Sequence, residues 1–133
     1  MRKNKIAIIG LGYVGLPLAR LFATKYSVVG FDINSVRTSE IMSGFDSTLE
    51  VDSKTLQSVL IGENSSSKGL FCTNQLDNIK ECNYYIITVP TPVDKNNRPI
   101  LTPLIKASET VGKVLKKGDI VIYESTVYPG TTE

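Results

Sequence analysis

Residues 6–19 read IAIIGLGYVGLPLA, and three glycines inside this apolar stretch restrict what the chain can become. Directly after the basic start MRKNK, the stretch admits three readings: a secretion signal, an ordinary buried strand, or a nucleotide-binding turn. A secretion signal combines a charged start, an apolar run and a small-residue cleavage site. Here Gly10, Gly12, Gly15 and Pro17 interrupt the run, which ends at Arg20 without a convincing cleavage site. It is also shorter than the ~20 apolar residues that a membrane helix requires. No other stretch comes closer, so the expectation is a cytoplasmic chain without a membrane span.

The flanks decide between the other two readings. Lys5 to Ile9 is the short apolar run of a strand buried on both faces. Val14, Leu18 and Phe22 then recur at helical spacing, which predicts a helix to about Lys25. Between them stands G-x-G-x-x-G, a weak pattern alone but an informative one between a strand and a helix. In that setting Gly10 makes the tight turn, Gly12 lets a pyrophosphate approach the backbone, and Gly15 lets the helix pack on the strand. The free N–H groups around Tyr13 and Val14 then face the phosphates at the positive end of the helix.

The rest of the chain repeats the alternation. Strands are predicted at 27–33, 70–73, 84–89 and 119–125, and helices at 35–43, within 48–62 (with Asp52 or Ser53 as the cap) and at 101–115. Residues 75–81 read as a brief helical turn and 63–69 as a polar loop. Alternating strands and helices imply right-handed crossovers and a mostly parallel sheet covered on both faces. The expected fold is therefore α/β: a doubly wound, mostly parallel Rossmann sheet with strand order 3-2-1-4-5.

Three further positions fall where such a fold binds ligands. Asp32 ends the second strand, 22 residues after Gly10, where an acidic residue grips the adenosine ribose hydroxyls. Its charge repels a 2′-phosphate, so NAD is favoured over NADP, although a nearby Arg such as Arg37 can accept that phosphate. VPTP (89–92) lies at the carboxyl end of the fourth strand and offers the Thr91 hydroxyl to the cofactor. ESTVYPG (124–130) ends the fifth strand and places Thr126 beside the expected nicotinamide position.

Composition excludes several other classes. Fifteen Lys and Arg against thirteen Asp and Glu leave a net charge of +2, too balanced for nucleic acid or a membrane surface as the main partner. The basic groups Arg2, Lys3, Lys5, Lys113, Lys116 and Lys117 read as solvated surface. The chain has no histidine, which removes a Ser/His/Asp triad and any His-based metal site, and no metal is expected. Cys72 and Cys82 read as buried or half-buried free thiols.

GLGYVGLPLA, the Asp32–Arg37 pair in FDINSVR, VPTP and ESTVYPGTTE together resemble the UDP-glucose/GDP-mannose dehydrogenase family. GFDSTLEV and PTPVDKNNRP, together with KASETVGKVLKKGDIVIYESTVYPGTTE, look most like its UDP-N-acetylhexosamine 6-dehydrogenases, which serve bacterial capsule and O-antigen synthesis. The resemblance implies oxidation of a sugar C6 hydroxyl to a carboxylate, using two NAD and a covalent intermediate on a cysteine. It implies pyrophosphate binding at Gly10, Gly12, Tyr13, Val14 and Gly15, and adenosine ribose binding at Asp32 and Arg37. Thr91 would line the cofactor, and Thr126 would contact the nicotinamide region and help hold the catalytic water. It further implies that residues 1–133 are the NAD-binding domain alone. The nucleophilic cysteine, the catalytic lysine, the central dimerising helix and the UDP-sugar domain would then lie in a part this chain lacks. Neither Cys72 nor Cys82 stands in the nucleophile's motif. Ile100 stands where the family pattern carries an acidic residue, which leaves that loop's role open. On this reading the whole protein is a homodimer acting on a UDP-sugar, and the chain alone turns nothing over. Two other classes are a stand-alone NAD-binding or regulatory module and the cofactor domain of a 3-hydroxyacid-type dehydrogenase. The pairing of VPTP with ESTVYPG argues against the latter.

Overall fold

The computed structural model describes residues 4–63, 67–91, 94–96, 98, 100–124 and 126–127, with only the backbone at 90–91 and 126–127. Five strands form a parallel sheet: β1 (Lys5–Ile9), β2 (Ser27–Phe31), β3 (Gly69–Thr73), β4 (Tyr84–Ile87) and β6 (Ile120–Tyr123), in the order β3-β2-β1-β4-β6. This is the doubly wound order expected from the alternation of elements. A separate pair of two-residue strands, β5 (Pro90–Thr91) and β7 (Thr126–Val127), is also parallel.

The pleat of β1 separates two cores, because successive side chains point to opposite faces. Ile6 and Ile8 pack with α1 (Gly15–Ala23), α2 (Ser35–Met42) and α3 (Ser53–Val59), through Leu16, Ile41 and Leu56. Ala7 and Ile9 face the other way, toward α4 (Thr102–Gly112) and the 3-10 turn Leu76–Asn78, with Tyr85, Ala107 and Val111. Among the described residues the buried phenol has its partner: Tyr85 Oη donates to the Ile79 carbonyl at 2.9 Å. The thiols are divided between these cores, Cys72 on the first and Cys82 on the second.

Several element ends fall short of the sequence-based expectation, and at β2 the reason is definite. The strand predicted to reach residue 33 stops at Phe31, because the Asp32 carboxylate accepts the Asn34 N–H at 2.9 Å and turns the chain. The helix expected within 48–62 begins at Ser53 with Asp52 as its cap on the Thr55 N–H, one of the two caps read from the sequence. Ahead of it, residues 46–51 are wound around the Asp46 carboxylate, which accepts from the backbone of Thr48, Glu50 and Val51. Leu49 completes this loop with φ at +61°.

Lys116 is also more than solvated surface. Its Nζ donates to the carbonyls of Lys80 and Cys82 at 2.6 and 2.9 Å and pairs with Asp119 at 2.9 Å, fastening the end of α4 to the start of β4. Arg2 and Lys3 lie outside the described residues.

Candidate cofactor site

The glycine turn is built by backbone geometry that other residues do not accommodate. Gly10 has φ of +100°, and a Cβ there would stand 2.9 Å from Val89 Cγ1. A Cβ on Gly15 would overlap the Gly10 carbonyl oxygen, so the start of α1 lies directly on the turn. At Gly12 the opposite holds: nothing stands within 4 Å of where a Cβ would be. The turn therefore packs inward at Gly10 and Gly15 and leaves open space at Gly12.

Helix α1 begins at that opening without a side-chain cap. Val14 occupies the capping position and the first turn carries no acidic residue. By contrast, Asn34 caps α2 by accepting from Val36 and Arg37, and Asp52 caps α3. The first amides of a helix need acceptors and carry about half a positive charge between them. Here no side chain of the first turn supplies that acceptor.

Three side chains hold the turn in place. Thr88, buried just past β4, donates its hydroxyl to the Gly10 carbonyl at 2.7 Å. Asp32 accepts the Leu11 N–H at 3.0 Å through Oδ2. Arg37 donates from Nε to the Leu11 carbonyl at 2.7 Å. Leu11 is thus held at its amide by Asp32 and at its carbonyl by Arg37. Thr88 was not singled out by sequence reasoning, and a lone Thr after an apolar strand carries no signal that would have found it.

Beside the turn opens a cleft of about 520 Å³ between the carboxyl ends of β1 and β2 and the helix α4. Gly10, Gly12 and Asp32 line one wall, while Thr102, Lys106 and Ala107 of α4 line the other. Ile100, whose role the sequence left open, lines this cleft with Val89 and Ile9. The wall is mainly apolar and carries a carboxylate at one side, which fits a flat heteroaromatic base with a hydroxylated sugar. Arg37 does not line the cleft; its guanidinium is held by Leu11, Glu40 and Asp46. Tyr13 is exposed at the turn.

The two threonine motifs meet. Strand β5 pairs with β7 in the register Pro90 to Thr126 and Thr91 to Val127, so the backbones of Thr91 and Thr126 lie on adjacent strands. Their side chains, and residues 92, 125 and 128–133, lie outside the described residues.

Residues 4–133 match the model of the UDP-glucose/GDP-mannose dehydrogenase family, NAD binding domain. The chain belongs to this family. It is 56% identical over its whole length to UDP-N-acetyl-D-glucosamine 6-dehydrogenase of Pseudomonas aeruginosa, of which it covers 30%. It is 50% identical to Protein CapL of Staphylococcus aureus, covering 29% of that relative. Among solved structures, GDP-mannose dehydrogenase of Pseudomonas aeruginosa, a ternary complex, superposes with a TM-score of 0.78 at 26% identity, covering 96% of this chain and 29% of that one. UDP-D-ManNAc dehydrogenase of Pyrococcus horikoshii gives 0.74 at 38% identity, with 96% and 30% covered. The family's NAD-binding domain is thus what this chain is, and it spans about 30% of the length of such relatives.

NAD fits the residues present. The open space at Gly12 and the uncapped start of α1 match a pyrophosphate, and the cleft beside Asp32 matches an adenosine. Neither cysteine has the properties of a nucleophile. Burial pushes the thiols of Cys72 and Cys82 up to about 12, so the thiolate is scarce near neutral pH. Among the described residues no helix is long and apolar enough to cross a membrane.

Proposed function

We propose that this chain is the cofactor-binding part of an NAD-dependent nucleotide-sugar 6-dehydrogenase, a whole protein that oxidises the C6 hydroxyl of a UDP-N-acetylhexosamine to a carboxylate. The observation that carries the reading is the uncapped start of α1 facing the open position at Gly12, beside a cleft whose acidic group is Asp32. The similarity to a UDP-N-acetyl-D-glucosamine 6-dehydrogenase across the whole chain supports the substrate class.

The residues divide the work as follows. Gly10 and Gly15 shape the turn, and the amides around Gly12, Tyr13 and Val14 receive the pyrophosphate. Asp32 accepts the adenosine ribose hydroxyls, and Arg37 serves from behind by fixing the Leu11 peptide. NAD, when bound, supplies the electron acceptor for the sugar oxidation. Thr91 and Thr126, on paired strands, line the nicotinamide end, where Thr126 orients substrate or water. The nucleophilic cysteine and the UDP-sugar pocket belong to the two-thirds of the relatives' length that this chain does not span. The whole protein is read as a cytoplasmic homodimer serving surface polysaccharide synthesis, with residues 1–133 as its NAD-binding domain.

Spectrophotometry tests the division of labour. Incubated with NAD and UDP-N-acetylglucosamine, this chain alone is expected to yield no NADH, whereas the full-length enzyme yields two NADH per sugar. Sustained NADH production by the 133 residues alone would place a complete catalytic site here and refute the reading.

A further inference from the structure

Thr88 stands just past β4, only 4% exposed, and its bonds run to the glycine turn. Its N–H donates to the Ile9 carbonyl at 2.9 Å, which continues the pairing of β4 with β1. Its hydroxyl oxygen lies 2.7 Å from the Gly10 carbonyl oxygen and 3.1 Å from that of Ile9. A hydroxyl has one proton to give, and the shorter contact marks Gly10 as its acceptor. The same oxygen stands 2.6 Å from the place a Cβ on Gly15 would take. One buried side-chain oxygen therefore sits against both the first and the last glycine of the turn.

That contact settles a choice which glycine leaves open. Gly10, at φ of +100°, tolerates more than one direction of the peptide that follows it. A trans peptide points its carbonyl and its N–H to opposite sides. Here the Gly10 carbonyl points inward to Thr88, and the Leu11 N–H reaches Asp32 Oδ2 at 3.0 Å. Turned over, the peptide would aim its carbonyl oxygen at the Asp32 carboxylate, on the wall that Gly10, Gly12 and Asp32 give to the cleft. A carbonyl oxygen there repels a phosphate, whereas amides attract one. Packing alone does not ask for a hydroxyl at this position: Ile86, Ile87 and Val89 around it are apolar, and a valine would fill the same volume.

We propose that Thr88 is a positioning residue for the cofactor's pyrophosphate: its hydroxyl locks the Gly10–Leu11 peptide with the carbonyl inward and so keeps the phosphate side of the turn lined by amides. The inference rests on the NAD reading of the site and adds to it a residue that does not line the cleft. Thr88 acts through Gly10, so its effect falls on ligands that carry phosphate and spares those that do not. Losing the hydroxyl leaves a buried carbonyl without its donor, and that carbonyl is then free to seek another partner by turning.

The test is to measure Kd for NAD, ADP and adenosine with the 133-residue chain, unaltered and carrying Thr88→Val, Thr88→Cys or Thr88→Ser. Thr88→Val keeps the shape and removes the donor, and is expected to weaken NAD and ADP by about tenfold, the equivalent of one buried hydrogen bond. Adenosine, which has no phosphate, is expected to stay within about twofold. Thr88→Ser, which keeps the hydroxyl, is expected to return the ADP-to-adenosine affinity ratio to that of the unaltered chain. A merely structural role would weaken all three ligands together and leave the ratio alone. An unchanged ratio in Thr88→Val, or a serine variant no better than the valine one, would overturn the proposal. If Thr88→Val does not fold, Thr88→Cys decides by the same ratio, since its thiol is a weak donor of similar size and should fall between valine and serine. Failure of the unaltered chain to bind NAD or ADP is a separate outcome, seen without any variant, which removes the parent reading and this one with it.

Discussion

Helices α1 and α3 begin in opposite ways. At α3, Asp52 is extended and its carboxylate takes the Thr55 amide at 2.7 Å, so the helix closes its own end. At α1, Val14 stands in the capping place with no oxygen to offer, and the chain reaches it through a glycine with open space around it. Both helices pack on the same face of the sheet, through Leu16 and Leu56. Packing therefore does not explain the difference. A self-capped end stabilises the fold, whereas an open end stores an unmet need for negative charge that a ligand can satisfy.

The contrast is broken most severely at Gly15. A Cβ there meets the Gly10 carbonyl, and Gly10 is itself fixed by its N–H, which donates to the Phe31 carbonyl at 2.8 Å. Gly15→Ala is expected to destabilise the chain by about 3 kcal/mol or more in chemical denaturation and to abolish NAD binding. Near-normal stability would show that the turn is softer than described. Gly12→Val sharpens the comparison, because its Cβ enters space with no neighbour within 4 Å. Stability is expected to stay within about 0.5 kcal/mol, the usual range for a surface change. NAD affinity is expected to fall by at least about thirtyfold, the equivalent of losing roughly 2 kcal/mol of phosphate contact. Equal affinity would mean that the pyrophosphate lies elsewhere.

Two smaller effects concern the parts that close themselves. The folded-state pKa of Asp46 is lowered, so its stabilisation is complete above the ordinary Asp value of about 3.9 and is lost as pH falls below it. The acid limb of a stability–pH curve should therefore be steep below about pH 4 and shallower in Asp46→Asn. Identical limbs would show that Asp46 is not held as an ion. Asp52→Ala should lower the thermal midpoint by a few degrees and leave the NAD Kd unchanged, since that cap faces no ligand. A change in Kd would couple the two helix ends.

Much of this was legible because it is written in periodicity. The strand, the glycines and the helix of residues 5–23 are recognised by spacing alone, and the strand order follows from alternation. The supports of the turn were not legible. Asp46 and Arg37 meet nine residues apart through a loop held by side-chain-to-backbone bonds, which leave no period in the sequence. The short pairing of β5 with β7 joins two motifs that were read separately, since two-residue strands carry no period to detect. Ile100 looked like a departure from pattern and proved to be part of the cleft wall.

The most direct measurement is a calorimetric titration of NAD into the purified 133-residue chain. Saturable binding of one NAD per chain, lost in Gly12→Val, is the expected result. No heat of binding up to millimolar NAD would contradict the account at its centre.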